Sequence, residues 1–211
     1  MGNCPPGLRL GEQRLVEGLA EVVSFMRPGD TPSDIRHPDF DKPSGLRDAL
    51  AREEQRLLGA EDKPSTVETG LLVSASGAVL MDRAGDSDTI DIDWEDVWAH
   101  QPDGPLTFTH NHPLPGSFSA DDVAWGLKAR VREVRAVDAF NTHSLRYKPN
   151  GRVSAGVLYL DGRQRIKSVN ERAGPPGSHG WRDELDRVWS RLAQRYDLRY
   201  DRCEAPGKSP R

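Results

Sequence analysis

The stretch HNHPLPGSFSADD, residues 110–122, brings together the residue types that bind a divalent cation. Alternate residues of a strand face the same way, so His110 and His112 project to one side with Leu106 and Phe108. Two imidazoles set on a rigid element can grip one ion. Pro113 then stops strand pairing, LPGSF makes a short loop, and Ser119 is a good N-cap for a helix. Asp122 lies three residues on, in the first helical turn, where its carboxylate can point back at the strand end. Two histidines and one carboxylate leave a fourth tetrahedral position for water, the pattern of a catalytic zinc site. Water on such a cation has its pKa lowered toward about 7 and becomes a nucleophile. A plainer reading explains the same letters: two core or surface histidines, and Ser119 with Asp122 as a capping pair. Each half alone is a weak signal; together, in a strand–loop–helix context, they favour a metal.

The elements that would position these residues follow from periodicity. Leu15, Val16, Leu19, Val22, Val23 and Met26 recur at helical spacing, predicting a helix over 11–26. A Pro/Asp/Gly-rich connector (28–42) leads to a second helix from Pro43 to Leu58. Segments 66–73 and 78–82 read as strands joined at Ser76-Gly77. The acidic stretch from Asp82 to Asp96 lacks the regular order of a calcium loop and reads as a solvated loop into a short helix at Trp94–Ala99. Then come a strand at 105–112, a helix at 119–130, and strands at 133–140 and 143–147. Asn150-Gly151 and Asp161-Gly162 bracket a further expected strand at 153–160. A linker (173–180) precedes a helix over 181–196. The resulting division is an N-terminal helical extension (1–62), a metal-binding core (63–172), a C-terminal helix packing on it (173–200) and a disordered tail (201–211). The fold class is α+β, a mixed sheet flanked by helices.

Composition narrows the function. The chain has 211 residues, 36% of them hydrophobic and 29% charged, enough for one domain with a sizeable core. It has no apolar run of roughly 18 residues, and MGNCPPGLRL lacks the apolar stretch of a secretory signal. A cytoplasmic protein with no membrane partner is the expectation. Gly2 and Cys4 invite acylation, but Pro6 stands where that motif needs Ser or Thr. Cys4 and Cys203 form no CxxC pair. A net charge of −4 argues against nucleic acid as the main partner.

His110-Asn111-His112-Pro113, a short gap and Ser119-Ala120-Asp121-Asp122 resemble the signature of the JAMM (also JAB or MPN) metalloproteins, over roughly residues 65–147. The family's further element, a glutamate on an upstream strand followed by glycine and aliphatic residues, is matched by Glu68 in VETGLLV. The resemblance implies a JAMM/MPN, cytidine-deaminase-like fold, with zinc on His110, His112 and Asp122. It implies Glu68 as general base, Ser119 helping to hold the oxyanion, and hydrolysis of a peptide or isopeptide bond. The substrate would be a protein or peptide, with a ubiquitin-like protein among the candidates. Glu68 shares its face with Gly70 and Leu72, an odd neighbourhood for a surface carboxylate, although a solvent-facing strand Glu is the bland alternative. Five residues separate Pro113 from Ser119, about one fewer than in the deubiquitinating branch. The wording is closer to bacterial and phage branches, RadC-like proteins and JAB-type domains attached to phage head proteins or toxins. The rival from another class is a catalytically silent scaffold module with a structural or vestigial metal. An HNH endonuclease, a zinc deaminase and an amidohydrolase barrel each lack required elements here. His37, His100, His143 and His179 read as structural or surface residues, with His100 and His143 able to approach the site.

Overall fold

A computed structural model of the chain describes residues 39, 41–60, 63–148 and 153–205; the helix expected over 11–26 lies outside them. Helix α1, Ser44–Leu58, turns Leu46, Ala49, Leu50 and Leu57 inward at three- and four-residue spacing. It ends at Gly59, whose φ of 75° suits glycine. A two-residue ribbon follows, β1 (Gly59–Ala60) with β2 (Lys63–Pro64). The hairpin β3 (Thr69–Val73) and β4 (Val79–Ala84) closes at the expected turn, where Gly77 takes a φ of 89°. After the short helix α2 (Trp94–Trp98) come β5 (Thr107–Asn111), α3 (Ala120–Lys128), β6 (Glu133–Val137) and β7 (Asn141–Arg146). Helices α4 (Ala155–Arg172) and α5 (His179–Arg195) and strand β8 (Arg199–Glu204) complete the chain.

The larger sheet has six strands in the order β4-β3-β5-β6-β7-β8, so the class is mixed α+β. All neighbours are antiparallel except β5 and β6, and that parallel pair requires the crossover that α3 supplies. Alternation sorts the two faces. Leu71 and Val73 meet Leu46, Leu50 and Leu57 of α1. Leu72, Phe108, Val134, Ala136 and Leu145 face Val123, Leu158, Trp181, Leu185 and Trp189 from α3, α4 and α5. Every residue of β5 and β6 is buried, as a strand covered on both faces requires. Among the described residues no helix is long and apolar enough to cross a membrane.

Two expectations are corrected. Residues 153–160 are not a strand but the start of α4, capped by Ser154, whose hydroxyl accepts from the Val157 amide. Asp161-Gly162, which suggests a turn, lies inside the helix. A Cβ at Gly162 would stand 3.1 Å from the Trp189 ring, so the glycine allows α4 and α5 to pack closely. The stripe Leu158, Gly162, Val169 is buried, while Val157 and Leu160 are exposed, which is why the local composition misleads. Residues 201–204, expected in a disordered tail, belong to β8, which pairs with β7 from Asn141↔Glu204 to Arg146↔Arg199. Its polar letters find partners: Arg199 pairs with Asp201 and Arg202 with Asp186.

Candidate metal centre

The carboxyl end of β5 and the first turn of α3 meet at the crevice where parallel α/β units commonly bind ligands. His110 is 1% exposed and stacks on Phe108, with ring centroids 5.3 Å apart. Phe108 in turn packs on Trp125. Gly70 stands opposite His110 in the β3–β5 ladder, and a Cβ there would lie 2.6 Å from the Phe108 ring. Glycine at 70 therefore makes room for the ring that supports His110. His112 places Nδ1 3.2 Å from the Gly116 carbonyl. A carbonyl only accepts, so Nδ1 carries the proton and Nε2 presents its lone pair.

Asp122 is held by a capping box. The Ser119 amide donates to its Oδ2 at 2.7 Å, and the Asp122 amide donates to Ser119 Oγ at 3.1 Å. The pair is thus a cap, and the same carboxylate also faces both imidazoles. Oδ1 lies 3.5 Å from His110 Nε2, and Oδ2 lies 3.5 Å from His112 Nε2. The two Nε2 atoms are 2.9 Å apart. Zinc with bonds near 2.0–2.1 Å sets tetrahedral ligand atoms about 3.3 Å apart. The three separations bracket that value, and this is the one such donor group among the described residues. A close approach also seats the helix: a Cβ at Gly126 would fall 2.1 Å from Val134 Cγ2. Tyr147 donates to the Val123 carbonyl at 2.6 Å from the same side.

Glu68 immediately precedes β3, and continuing the Gly70↔His110 register sets it opposite His112. Its Oε1 is 4.0 Å from His112 Nε2, with the side chain 13% exposed. Burial pushes its carboxyl up to about 7; His112 opposes this, and Asp122, Asp88 and Asp86 add to it. Burial also works to raise Asp122, but His110 and His112 hold it well below the usual carboxylate range. His110 is lowered, chiefly by burial. Burial opposes a charge on His112, yet Asp122 and Glu68 raise its pKa. The donor set is therefore a carboxylate that stays ionised facing the Nε2 atoms of two imidazoles, which fits a divalent cation.

The structure brings together His110, His112, Asp122 and Glu68, with Ser119 at the helix start. Ser119 is exposed and its own O–H is not used in the cap. His179 Nδ1 lies 3.1 Å from Asp183 on α5, and His37 lies outside the described residues. His143 is buried on β7, in register with Ala136 and through it with His110, two strands along the sheet. Two polar residues escape the motif reading. Asp138, fully buried, accepts from the Gly116, Phe140 and Asn141 amides and so pins the loop that carries Gly116. Asn111, between the two histidines, is 1% exposed on the opposite face of β5. Its signal in the sequence is a polar residue at an inward position of a fully buried strand. No family model, no curated protein and no solved structure matches the chain.

Proposed function

We propose that this chain is a zinc-dependent hydrolase that cleaves a peptide or isopeptide bond in a protein or peptide substrate. The observation that carries the reading is the convergence of His110, His112 and Asp122 with the half-buried carboxyl of Glu68 beside them. A borderline cation suits this nitrogen and oxygen donor set, and two histidines with one carboxylate and an open position are a donor set of hydrolytic zinc. When bound, zinc supplies Lewis-acid polarisation and acidifies a coordinated water toward a pKa of about 7. Glu68 takes the proton of the attacking water and returns it to the departing amine, a role supported by its place 4.0 Å from His112 beside the triad. Ser119 donates its O–H toward the developing oxyanion. The Gly116 carbonyl keeps His112 in the ligating tautomer. The resemblance of the His-x-His-Pro and Ser-x-x-Asp elements to the JAMM signature supports the same assignment, with a ubiquitin-like protein one candidate substrate.

The test combines zinc analysis of the purified chain with cleavage of a panel of fluorogenic peptide and isopeptide-linked probes. One zinc per chain is expected in both wild type and Glu68→Gln, with turnover in the variant reduced by about 10²–10⁴-fold. Zinc bound without any Glu68-dependent hydrolysis would replace the enzyme with a scaffold module. Absence of stoichiometric zinc, unchanged in His112→Ala, would remove the metal site itself.

A further inference from the structure

We infer that Asn111 is a positioning residue for Glu68: its carboxamide clamps the backbone on both sides of the base and sets where that base stands beside the triad. The inference rests on the reading of Glu68 given above. The β3–β5 ladder ends at Gly70↔His110. Beyond it the His112 amide turns to β6, donating to the Val137 carbonyl at 2.8 Å, and Pro113 leads the chain away. Without a side chain here the Thr69 amide would face β5 unpaired, and the Val67 carbonyl would keep only the Ser65 hydroxyl, which donates to it at 2.7 Å. Asn111 fills the gap. The Thr69 amide donates to its Oδ1 at 2.6 Å, and its Nδ2 donates to the Val67 carbonyl at 2.9 Å. An amide only donates and a carbonyl only accepts, so these two partners also fix which way round the carboxamide sits.

The opposite edge of the segment is held as well. The Glu68 amide donates to the Asp86 carbonyl at 2.6 Å, and the Gly85 amide donates to the Glu68 carbonyl at 2.8 Å. Glu68 stands outside regular strand pairing yet is fixed from both sides, on one of them by the Asn111 carboxamide, which alone reaches both flanking residues, with the Ser65 hydroxyl added at Val67. Its carboxylate reaches the triad through three torsions, and a backbone shift of about 1 Å carries through to the reacting atoms, where such displacements cost about 10²-fold. Both hydrogen bonds of the Asn111 side chain close on the residues that flank Glu68. Asn111 points away from the metal-facing side of β5, so it acts on the site through Glu68 and not through the ligands.

A probe that touches both zinc and an adjacent carboxylate separates these roles without requiring the natural substrate. Acetohydroxamic acid is such a probe, titrated calorimetrically into the zinc-loaded full chain. Asn111→Asp keeps the shape and the Thr69 acceptor but turns an oxygen toward the Val67 carbonyl; Asn111→Ser removes both bonds. Each is expected to retain one zinc and to weaken hydroxamate binding about tenfold or more, as Glu68→Gln does. Adding Asn111→Ser to Glu68→Gln is expected to weaken it no further, because the residue acts only through the base. Wild-type affinity in both Asn111 variants, losses that multiply in the double variant, or loss of zinc in Asn111→Asp would overturn the assignment while leaving Glu68 in place. Wild-type affinity in Glu68→Gln would instead remove the base reading, and the role of Asn111 with it.

Discussion

Asp122 serves two masters at residue scale, one electrostatic and one conformational. Its carboxylate accepts the Ser119 amide as half of a capping box and faces His110 and His112 with its two oxygens. Ser119 is the residue that separates the two functions. Ser119→Ala removes the hydroxyl that caps α3 but leaves the Ser119 amide, and hence the bond that orients Asp122. The expected cost is about 1 kcal/mol of stability in urea unfolding of the metal-free chain. Zinc content is expected to be unchanged, and turnover on any cleaved probe to fall about 10²–10³-fold through loss of an oxyanion donor. Loss of zinc in this variant would show that the hydroxyl works by placing the ligand. The candidate ligands are legible in the sequence because their placement is local: strand alternation sets the histidines, and a cap three residues before Asp122 sets the carboxylate. Asn111 is not legible in that way. Its partners Val67 and Thr69 lie more than forty residues upstream, and only the antiparallel register of β3 on β5 brings them within reach.

Helix α1 shows how element-scale packing departs from the apolar stripe that identifies the helix. Its buried face carries Glu54 as well as Leu50 and Leu57. Glu54 meets Arg135 of β6 through both carboxylate oxygens, and accepts from Thr109 and Thr142. Arg135 also binds Asp39 and Glu133, and Lys42 pairs with both of these. Burial works against the charges of Asp39 and Glu133, but Arg135 and Lys42 hold both carboxyls below their ordinary values. Opening such a buried network is expensive because it strands a charge. Glu54→Ala is expected to cost about 3–5 kcal/mol in denaturant unfolding. Glu54→Gln, which keeps the volume but withdraws the charge from Arg135, is expected to lose most of the same amount. A loss near zero in Glu54→Gln would show that packing volume, not charge, carries the effect. The sequence pattern predicts α1 itself correctly, since four leucine and alanine positions suffice. It is silent on Glu54, because a charged letter on a helix usually marks a solvated face. The same reasoning explains α4 and β8. Glycine at 162 and the charges of β8 look like turn and tail until α5 is seen to cover the first and to pair, through Asp186, with the second.

At the scale of the whole molecule, the loop between the candidate ligands is tied to the last elements of the chain through one run of polar contacts. His112 Nδ1 donates to the Gly116 carbonyl, and the Gly116 amide donates to Asp138. Asp138 lies 3.6 Å from His143 Nε2, while His143 Nδ1 is 2.9 Å from the Tyr200 hydroxyl of β8 and 3.3 Å from Asp186 of α5. Arg202 closes the cluster on Asp186. Burial opposes a charge on His143, but the Asp138 and Asp186 carboxylates raise its pKa above the ordinary value. Burial likewise works to raise the two aspartates, which His143 holds down. The signs then set a window. His143 contributes stability that is fully present below its unfolded pKa of about 6.5 and is lost as pH rises through its higher folded value. The aspartates contribute stability that is present above about 3.9 and is lost as pH falls through their lower folded values. His143→Gln keeps a hydrogen-bonding side chain but cannot take the charge. In chelator-treated protein, the stability gap between wild type and this variant is expected to be widest near pH 6 and to shrink as pH rises past neutrality. His110 and His112 titrate in both proteins, so their effect cancels in the difference. Unfolding free energies from urea titrations at several pH values between about 5.5 and 8.5 check this. A gap that stays constant with pH would mean that His143 is held neutral, and that the link from β5 to the C-terminal elements is one of shape alone.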